Sequence, residues 1–353
     1  MNILGIETSC DETAAAVVAD GRRVLSNIVA SQIEIHAEFG GVVPEVAARS
    51  HIEDMLPVVD EALSTAGLDW DQIDGIAVTA GPGLLGSLLI GTLTARTLAE
   101  IRHKPLYAIN HVEAHVYANF LDTDTPPEFP LLAMIVSGGH SQIVLFTDHH
   151  DFEVLGQTRD DAAGEAFDKI AKLLGLGFPG GPAIANAAKL GNELAFSFPK
   201  AKLGNDSLDY SFSGLKTAVL RSVQKLADVP QDTPSSKLAN LLSVAQKNDI
   251  AASFQKTLVD TLVDRMMTAY SQYHPKTVVI AGGVAANLAL RAELAARLPI
   301  PINYAPMNLC TDNAAMIASL GFWYARDGLA TDPKLLEADS SLQMSAPAHH
   351  HHH

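Results

Sequence analysis

Residues 3–18 read ILGIETSCDETAAAVV, an apolar run, a short polar turn and a second apolar run. Short apolar runs on both sides of a turn predict a pair of strands. The same layout returns at residues 131–146, LLAMIVSGGHSQIVLF, where the turn is Ser137-Gly138-Gly139-His140. We therefore predict that the chain has two lobes and that the second lobe is an internal duplication of the first.

Strands and helices are predicted to alternate along the rest of the chain. Apolar residues spaced three and four apart predict helices, and short apolar runs predict strands. Further strands are expected at 24–29, 74–80, 106–109 and 277–281. Helices are expected at 44–66, 84–101, 160–174, 182–190, 213–226, 250–273, 285–297 and about 312–325. The alternation indicates an α/β protein whose mostly parallel or mixed sheets are covered by helices.

Length and composition predict more than one hydrophobic core. The chain has 353 residues, 48% of them hydrophobic and 18% charged, which favours two compact lobes over disorder. We expect an N-terminal lobe of residues 1–125 completed by a C-terminal helix at about 312–337, and a C-terminal lobe of residues 126–311. Residues 228–248, rich in polar residues and proline, are expected to be a surface insertion. Residues 345–353 end in five histidines and are interpreted as a tag-derived tail.

The net charge of the chain limits how it could bind nucleic acid. The formal net charge is −16, which opposes non-specific adhesion to nucleic acid, so such contact would need a local basic patch or a partner. The visible basic clusters are Lys200-Ala201-Lys202, Arg22-Arg23 and the Lys169/Lys172 pair. A solvated surface is the simpler interpretation of each cluster.

The ends of the chain and its cysteines bear on the compartment. The N-terminus begins directly as a strand without a basic leader, and no run of eighteen apolar residues exists. Cys10 and Cys310 are interpreted as free thiols in a reducing compartment, with a disulfide between them as the alternative. We expect a cytoplasmic protein that does not span a membrane.

The strongest metal signal is His111-Val112-Glu113-Ala114-His115. Residues four apart lie one helical turn apart on one face, so both imidazoles can reach a single ion. A zinc protease needs the order His-Glu-x-x-His, whereas Glu113 lies roughly opposite the two histidines, which excludes that function. The alternative is that the histidines only cap and pack the start of a helix.

A third ligand is expected elsewhere, because two imidazoles leave a divalent ion open. Cys310-Thr311-Asp312-Asn313 precedes an apolar helix. Thr311 or Asp312 could cap that helix, and capping alone would explain the motif. A carboxylate from this segment would instead complete a site of two histidines and one carboxylate, with positions left for substrate.

Three glycine-rich breaks, at 137–139, 178–182 and 281–287, lie after strands or before helices. Backbone N–H groups in such breaks bind phosphate or carboxylate, and Asn287 is positioned to hydrogen-bond a ligand. Residues 81–86 match the pattern Gly-x-Gly-x-x-Gly. The next strand does not end at the acidic residue that a dinucleotide site needs, so close helix–strand packing is the better explanation.

Acidic residues gather between positions 160 and 168. Helical spacing places Asp161, Glu165 and Asp168 on one face, next to Asp160 in sequence. A solvated face is one interpretation, and a wall that binds hydroxyls or a cation is the other.

Taken together, these residues resemble the universal tRNA threonylcarbamoyladenosine transferase family. The resemblance covers almost the whole chain to about residue 325, and the ordered series of motifs is far more specific than any single member. The matching segments are 5–13, 40–45, 79–84, 111–115, 136–140, 161–169, 211–216, 281–287 and 310–313.

The resemblance implies a fold and a set of site residues. The fold is the two-lobed ATPase-like fold of actin, Hsp70 and the sugar kinases, with a nucleotide between related lobes. The resemblance implies that His111, His115 and Asp312 are the ligands of one divalent ion, with iron expected first and zinc or magnesium as alternatives. Asp11 and Glu12 are implied for the reaction centre. The residues implied to hold the adenylated substrate are Ile135, Val136, Ser137, Gly138, Gly139, Asp168, Gly181 and Asn287.

The resemblance also implies an activity and partners. A member of the family transfers a threonylcarbamoyl group from threonylcarbamoyl-AMP to the exocyclic amine of adenosine 37 in tRNAs that read codons beginning with adenine. The implied partners are tRNA, a TsaB-like paralogous dimer partner, a TsaE-like ATPase and an upstream threonylcarbamoyl-AMP synthase.

Two departures and two rival functions accompany the resemblance. Residues 228–248 are longer than the family's usual segment, and Ala338 to Leu342 replace the basic, proline-containing tail expected there. One rival is a small-molecule kinase of the same fold that uses ATP and Asp11 as base. The other is a catalytically silent scaffold of a modification complex.

Overall fold

The computed structural model describes residues 1–204 and 207–344. The predicted tag-derived tail, residues 345–353, lies outside the described residues. The strands are β1 (Asn2–Glu7), β2 (Glu12–Ala19), β3 (Arg23–Ser31), β4 (Gly75–Gly81), β5 (Leu106–Asn110), β6 (Leu131–Val136), β7 (Ser141–Asp148), β8 (Asp151–Gln157), β9 (Thr277–Ala281) and β10 (Ile302–Tyr304). The helices are α1 (Ile33–Ala37), α2 (Pro44–Ala66), α3 (Leu85–Arg102), α4 (His111–Tyr117), α5 (Ala163–Leu174), α6 (Gly180–Ala188), α7 (Ser213–Leu226), α8 (Ser235–Leu238), α9 (Val244–Tyr273), α10 (Leu288–Arg297) and α11 (Ala314–Arg326).

The chain divides into two compact units. Among the described residues, unit 1 contains Met1–Glu128, Phe146–Phe152 and residues 303–344. Unit 2 contains Phe129–Leu145 and the described residues 153–204 and 207–302. Residues 146–152 therefore belong to unit 1, although the residues before and after them in the chain belong to unit 2.

The first sheet has the order β3-β2-β1-β4-β5. Strand β1 is antiparallel to β2 and parallel to β4, and its residues Ile3 to Ile6 are aligned with residues 75–78 of β4. Apolar side chains of this sheet form a buried core with the inner faces of α2 and α3. The polar turn between β1 and β2 is thus attached to the centre of a rigid, buried sheet.

The second sheet repeats that order. Read from its far edge it is β8-β7-β6-β9-β10, with β6 parallel to β9. In both sheets a hairpin begins at the central strand, and two later strands of the chain lie on the other side. The predicted fold class, two α/β lobes of related topology as in actin, Hsp70 and the sugar kinases, is confirmed.

Helix α11 brings the end of the chain back to unit 1. It packs on β1 at Gly5, where an added Cβ would lie 2.2 Å from the carbonyl oxygen of Ala314. It also contacts α4. Residues just before α11 therefore reach α4, although they lie far later in the chain.

Some predicted boundaries were wrong. Helix α9 begins at Val244, not at 250, because Ser243 and Gln246 form a reciprocal capping box at its first turn. The segment 228–248 accordingly contains α8 and the start of α9. Strand β8 was not predicted, and most of its residues are exposed or only partly buried. Among the described residues, none of the helices combines the length and apolar character needed to cross a bilayer.

Candidate active site

The predicted histidine helix is present and starts where β5 ends. Asn110 caps it, since its side-chain oxygen accepts hydrogen bonds from the backbone N–H groups of Val112 and Glu113 at 2.9 and 3.2 Å. The imidazoles of His111 and His115 lie one turn apart, with ring centroids separated by 4.7 Å. The cap fixes both histidines at the edge of the first sheet.

Asp312 completes a cluster of three donors in unit 1. Its Oδ1 lies 3.5 Å from Nε2 of His111 and 3.3 Å from Nε2 of His115. One donor atom from each residue lies within 4.8 Å of the others. The predicted capping of α11 by Thr311 or Asp312 is wrong, because Asn313 is the cap and accepts from the Met316 N–H.

The donor set fits a divalent metal ion. His115 is only 2% exposed; among the described residues its Nδ1 has no hydrogen-bond partner, and its Nε2 has only the 3.3 Å contact with Asp312 Oδ1. A buried polar group without a full partner is costly, and coordination of an ion by Nε2 would lower that cost. Two imidazoles and one carboxylate are the facial ligands of open transition-metal sites.

Glu7, at the end of β1, lies directly behind His111. Its Oε2 accepts from His111 Nδ1 at 2.9 Å and from the hydroxyl of Thr79 at 2.6 Å, while Oε1 accepts from the Ser9 N–H. Burial alone would lower the pKa of His111, but the carboxylates of Glu7 and Asp312 raise it to about 9. The sequence analysis did not predict Glu7 as a site residue. The signal that could have indicated it is its position as the single carboxylate at the end of the apolar strand β1.

Glu113 belongs to a different cluster in unit 1. Its Oε1 lies 3.9 Å from Nδ1 of His150, on the loop between β7 and β8, and its carboxylate also interacts with Tyr324. Burial raises the pKa of Glu113. The carboxylate is engaged by these side chains, in agreement with the exclusion of a zinc protease.

The other acidic residues of the first turn lie near the three donors. Asp11 is buried at 9% exposure, and Glu12 follows it at the start of β2. Burial and the charges of Asp312 and Asp11 raise the pKa of Glu12 well above its usual value. This concentration of carboxylates favours a bound cation, and the roles of Asp11 and Glu12 in the reaction stay a prediction.

The turn after β6 in unit 2 contains two glycines, Gly138 and Gly139, with open space around their main chain. The N–H of Ser137 donates to the His140 carbonyl at 2.8 Å, and the N–H of His140 donates to the Ser137 hydroxyl at 3.1 Å. A Cβ added at Gly138 or Gly139 would meet no atom within 4 Å, and Gly181 and Gly283 are equally open. These positions leave room for a ligand to approach the main chain.

Other glycines of unit 2 serve packing. A Cβ at Gly164 would lie 2.5 Å from the Ser137 carbonyl oxygen, and one at Gly282 would lie 2.4 Å from the Val136 carbonyl oxygen. Gly282 also has a φ of +88°, which favours glycine. The open glycines are thus distinct from those that hold the turn in place.

The remaining predicted substrate residues have structural contacts. The side chains of Ile135 and Val136 are fully buried, so only their main chain can face a ligand. Asp168 accepts from the Gly180 N–H at 2.7 Å. Asn287 caps α10 and donates to Gln255 at 3.0 Å. Their contacts with a substrate stay a prediction.

The acidic residues between positions 160 and 168 do not form one exposed acidic surface, because Asp160 and Asp161 are engaged by neighbouring groups. Helix α5 starts only at Ala163, so helical spacing does not include Asp161, although Lys169 pairs with both Asp161 and Glu165 at 2.7 Å. Asp160 accepts from Ser211, from the backbone N–H of Phe212 and from Ser213. Asp161 forms ion pairs with Lys169 at 2.7 Å and Lys216 at 3.2 Å. These carboxylates anchor the segment that begins α7.

The glycine pattern at 81–86 also serves packing. A Cβ at Gly83 would lie 2.4 Å from the Ser9 carbonyl oxygen, and the N–H of Leu84 donates to that oxygen at 2.8 Å. The start of α3 is thereby held against the first turn. This agrees with a packing explanation of the pattern.

Comparisons with known proteins agree with this geometry. The family model of tRNA N6-adenosine threonylcarbamoyltransferase matches residues 23–319. The proteins of that name from Thermomicrobium roseum and Symbiobacterium thermophilum are 51% and 50% identical over 344 and 333 residues. The first comparison covers 94% of both chains, and the second covers 94% of this chain and 93% of the relative.

Solved structures support the fold. The crystal structure of HypF from T. kodakarensis is similar with a TM-score of 0.59 at 15% identity, over 92% of this chain and 48% of that chain. Full-length HypF in a phosphate- and nucleotide-bound form gives a TM-score of 0.57 at 14% identity, over 92% of this chain and 55% of that chain. At such identity the likeness concerns the fold alone, whereas the half-identical relatives and the family model decide membership. The chain belongs to the tRNA N6-adenosine threonylcarbamoyltransferase family.

Proposed function

We propose that this protein transfers the threonylcarbamoyl group from threonylcarbamoyl-AMP to the exocyclic amine of adenosine 37 in tRNAs that read codons beginning with adenine. The products are threonylcarbamoyladenosine and AMP. Family membership makes the protein a transferase that acts on tRNA. The observation that carries the proposal is the cluster of His111, His115 and Asp312, within 4.8 Å, in a chain half identical to enzymes of that name.

The chemistry needs positioning more than a strong nucleophile. In the donor, a mixed anhydride, the bond between the carbonyl carbon and the phosphate oxygen breaks as the amine nitrogen bonds to that carbon. AMP leaves with the electron pair, and the amine loses a proton. Orientation of the amine and stabilisation of the departing charge can supply most of the rate.

His111, His115 and Asp312 would hold a divalent ion. When bound, such an ion supplies positive charge that polarises a carbonyl or phosphate oxygen and orients the donor. Imidazole ligands suit iron or zinc better than magnesium, and the family resemblance favours iron. Asp11 and Glu12, in the turn that also carries Ser9, are proposed for the reaction centre.

The main chain of the glycine turn is proposed to hold the AMP phosphate. The support is the open space beside Gly138, Gly139 and Gly181, where backbone N–H groups can approach an anion. Asp168 and Asn287 are proposed to contact the nucleotide. Ile135 and Val136 would do so through their main chain.

A dimer partner is proposed from an exposed apolar face of unit 1. Helices α2 and α3 pack together and expose large apolar side chains between 41% and 63%: Ile52, Leu56, Leu85, Leu89 and Leu93. Several exposed apolar side chains on two packed helices are typical of a protein interface, and a TsaB-like paralogue is the proposed occupant. A TsaE-like ATPase and an upstream threonylcarbamoyl-AMP synthase complete the proposed set, which would help an acidic enzyme to bind tRNA.

The proposal is tested by transfer with and without metal. Untagged protein is stripped with a chelator, reloaded with Fe(II) or Zn(II), and incubated with the partners, threonylcarbamoyl-AMP and unmodified tRNA. Mass analysis of tRNA nucleosides should detect threonylcarbamoyladenosine only after reloading. Full transfer by the stripped protein would contradict the metal's role. A kinase would leave the tRNA unmodified, and a silent scaffold would add nothing to the partners.

A further inference from the structure

We propose that Glu7 is a positioning residue of the metal site, which fixes the tautomer and the ring orientation of His111. The inference rests on the metal site of the proposed function. It adds a residue that lies outside the three donors and touches neither ion nor substrate. It also assigns different roles to the two histidines.

The carboxylate of Glu7 is held by elements independent of α4. Glu7 is fully buried at the end of β1, and its neighbour on β4 is Thr79, whose hydroxyl donates to Oε2 at 2.6 Å. The backbone N–H of Ser9 donates to Oε1. Thr79 of the sheet and Ser9 of the turn therefore hold the carboxylate independently of His111.

The directions of these hydrogen bonds determine the state of His111. An ionised carboxylate only accepts hydrogen bonds, so the contact at 2.9 Å between Oε2 and Nδ1 requires the proton on Nδ1. The lone pair of the neutral ring is then on Nε2, the atom that lies 3.5 Å from Asp312 Oδ1. Carboxylates behind metal-bound histidines act in this way and raise their basicity.

The second histidine lacks an equivalent support. Among the described residues, Nδ1 of His115 has no hydrogen-bond partner, so no carboxylate supports that side of its ring as Glu7 supports His111. We infer that His111 is the preorganised ligand and that His115 adapts to the ion. Loss of Glu7 should therefore affect metal binding although three donors remain.

Glu7→Gln is the decisive variant. The Ser9 N–H can only donate, so it should select the amide oxygen of glutamine and turn the amide NH2 toward His111. His111 would then accept at Nδ1 and carry its proton on Nε2, which blocks coordination. We expect the Co(II) affinity of the untagged full chain to fall about 10- to 100-fold, with a changed visible spectrum of bound Co(II).

Glu113→Gln is the matched control. It removes an equally buried carboxylate from α4 itself, one that contacts His150 and Tyr324. We expect its Co(II) affinity to stay within about twofold of the wild type, since hydrogen bonds remote from the ion do not set ligand orientation. Equal losses in both variants would assign the effect to general destabilisation and overturn the proposal.

Two further variants distinguish failure of the proposed metal site from failure of the proposed role of Glu7. Equal Co(II) binding by wild type and Asp312→Ala would refute the metal site itself. Loss in Asp312→Ala with wild-type affinity and spectrum in Glu7→Gln would refute only the role of Glu7. If Glu7→Gln does not fold, Glu7→Asp decides. It keeps the charge but withdraws the acceptor from His111, and should weaken binding about threefold to tenfold; wild-type affinity would overturn the proposal.

Discussion

The two hairpin turns at the centres of the two sheets occupy equivalent places in the topology but are built differently. The turn after β1 carries buried polar side chains, and Glu7 and Ser9 both contact His111 Nδ1, at 2.9 and 3.2 Å. The turn after β6 has two glycines with open space around them. The same hairpin arrangement thus orients polar side chains toward His111 in unit 1, whereas in unit 2 it leaves the main chain of Gly138 and Gly139 uncovered.

This difference indicates a division of labour. Side chains are needed to fix a metal ligand, because imidazole tautomers respond to hydrogen-bond partners. A phosphate is bound well by backbone N–H groups, provided that no Cβ blocks their approach. Substitutions in the first turn should therefore change metal affinity, and substitutions in the second turn should change nucleotide binding.

The largest effect is expected for Gly139→Val in the second turn. A branched side chain would fill the open space where the donor nucleotide is proposed to bind, and AMP should bind about 100-fold more weakly. Isothermal titration with AMP measures the loss, and Co(II) affinity should not change. Gly214→Val, at an equally open glycine in α7, is the control; an equal loss there, or unchanged AMP binding by Gly139→Val, would break the comparison.

A smaller effect, on stability, is expected for Gly164→Ala. Its methyl group would lie 2.5 Å from the Ser137 carbonyl oxygen, so α5 and the second turn would have to separate. Overpacking of this kind lowers the free energy of unfolding by about 1–3 kcal/mol. Thermal unfolding should show a lower Tm than Gly138→Ala, the same change at an open glycine. Equal Tm values for the two variants would mean that the turn is not held by this contact.

The smallest effect is expected for Ser9→Ala in the first turn. The Ser9 hydroxyl lies 3.2 Å from His111 Nδ1, farther than the Glu7 carboxylate. Loss of one such bond should lower Co(II) affinity only about twofold to threefold. A competition titration measures the change. A loss as large as that of Glu7→Gln would show that Ser9 supports the ring as much as Glu7 does, and would break the expected ranking.

Local signals in the sequence predicted much of the fold. Helix α2 was predicted at its observed bounds, because a proline in the first turn and Gly67 in a left-handed C-cap mark its ends. The polar first turn of α9 falls within the predicted insertion, because capping residues such as Ser243 and Gln246 also occur in loops. Strand β8 alternates polar and apolar residues only from Asp151 to Val154, and the rest of the strand breaks the pattern.

The sequence by itself determined the two hairpins and placed His111 and His115 one helical turn apart, because these features depend on spacing along a short segment. The tertiary structure decided which residue completes the cluster. Thr311, Asp312 and Asn313 are equivalent as caps by residue type, and only the packing of α11 on β1 assigns the cap to Asn313 and brings Asp312 to the histidines. The support of His111 by Glu7 likewise depends on where strand β1 ends beside α4, a contact between distant segments that local periodicity does not encode.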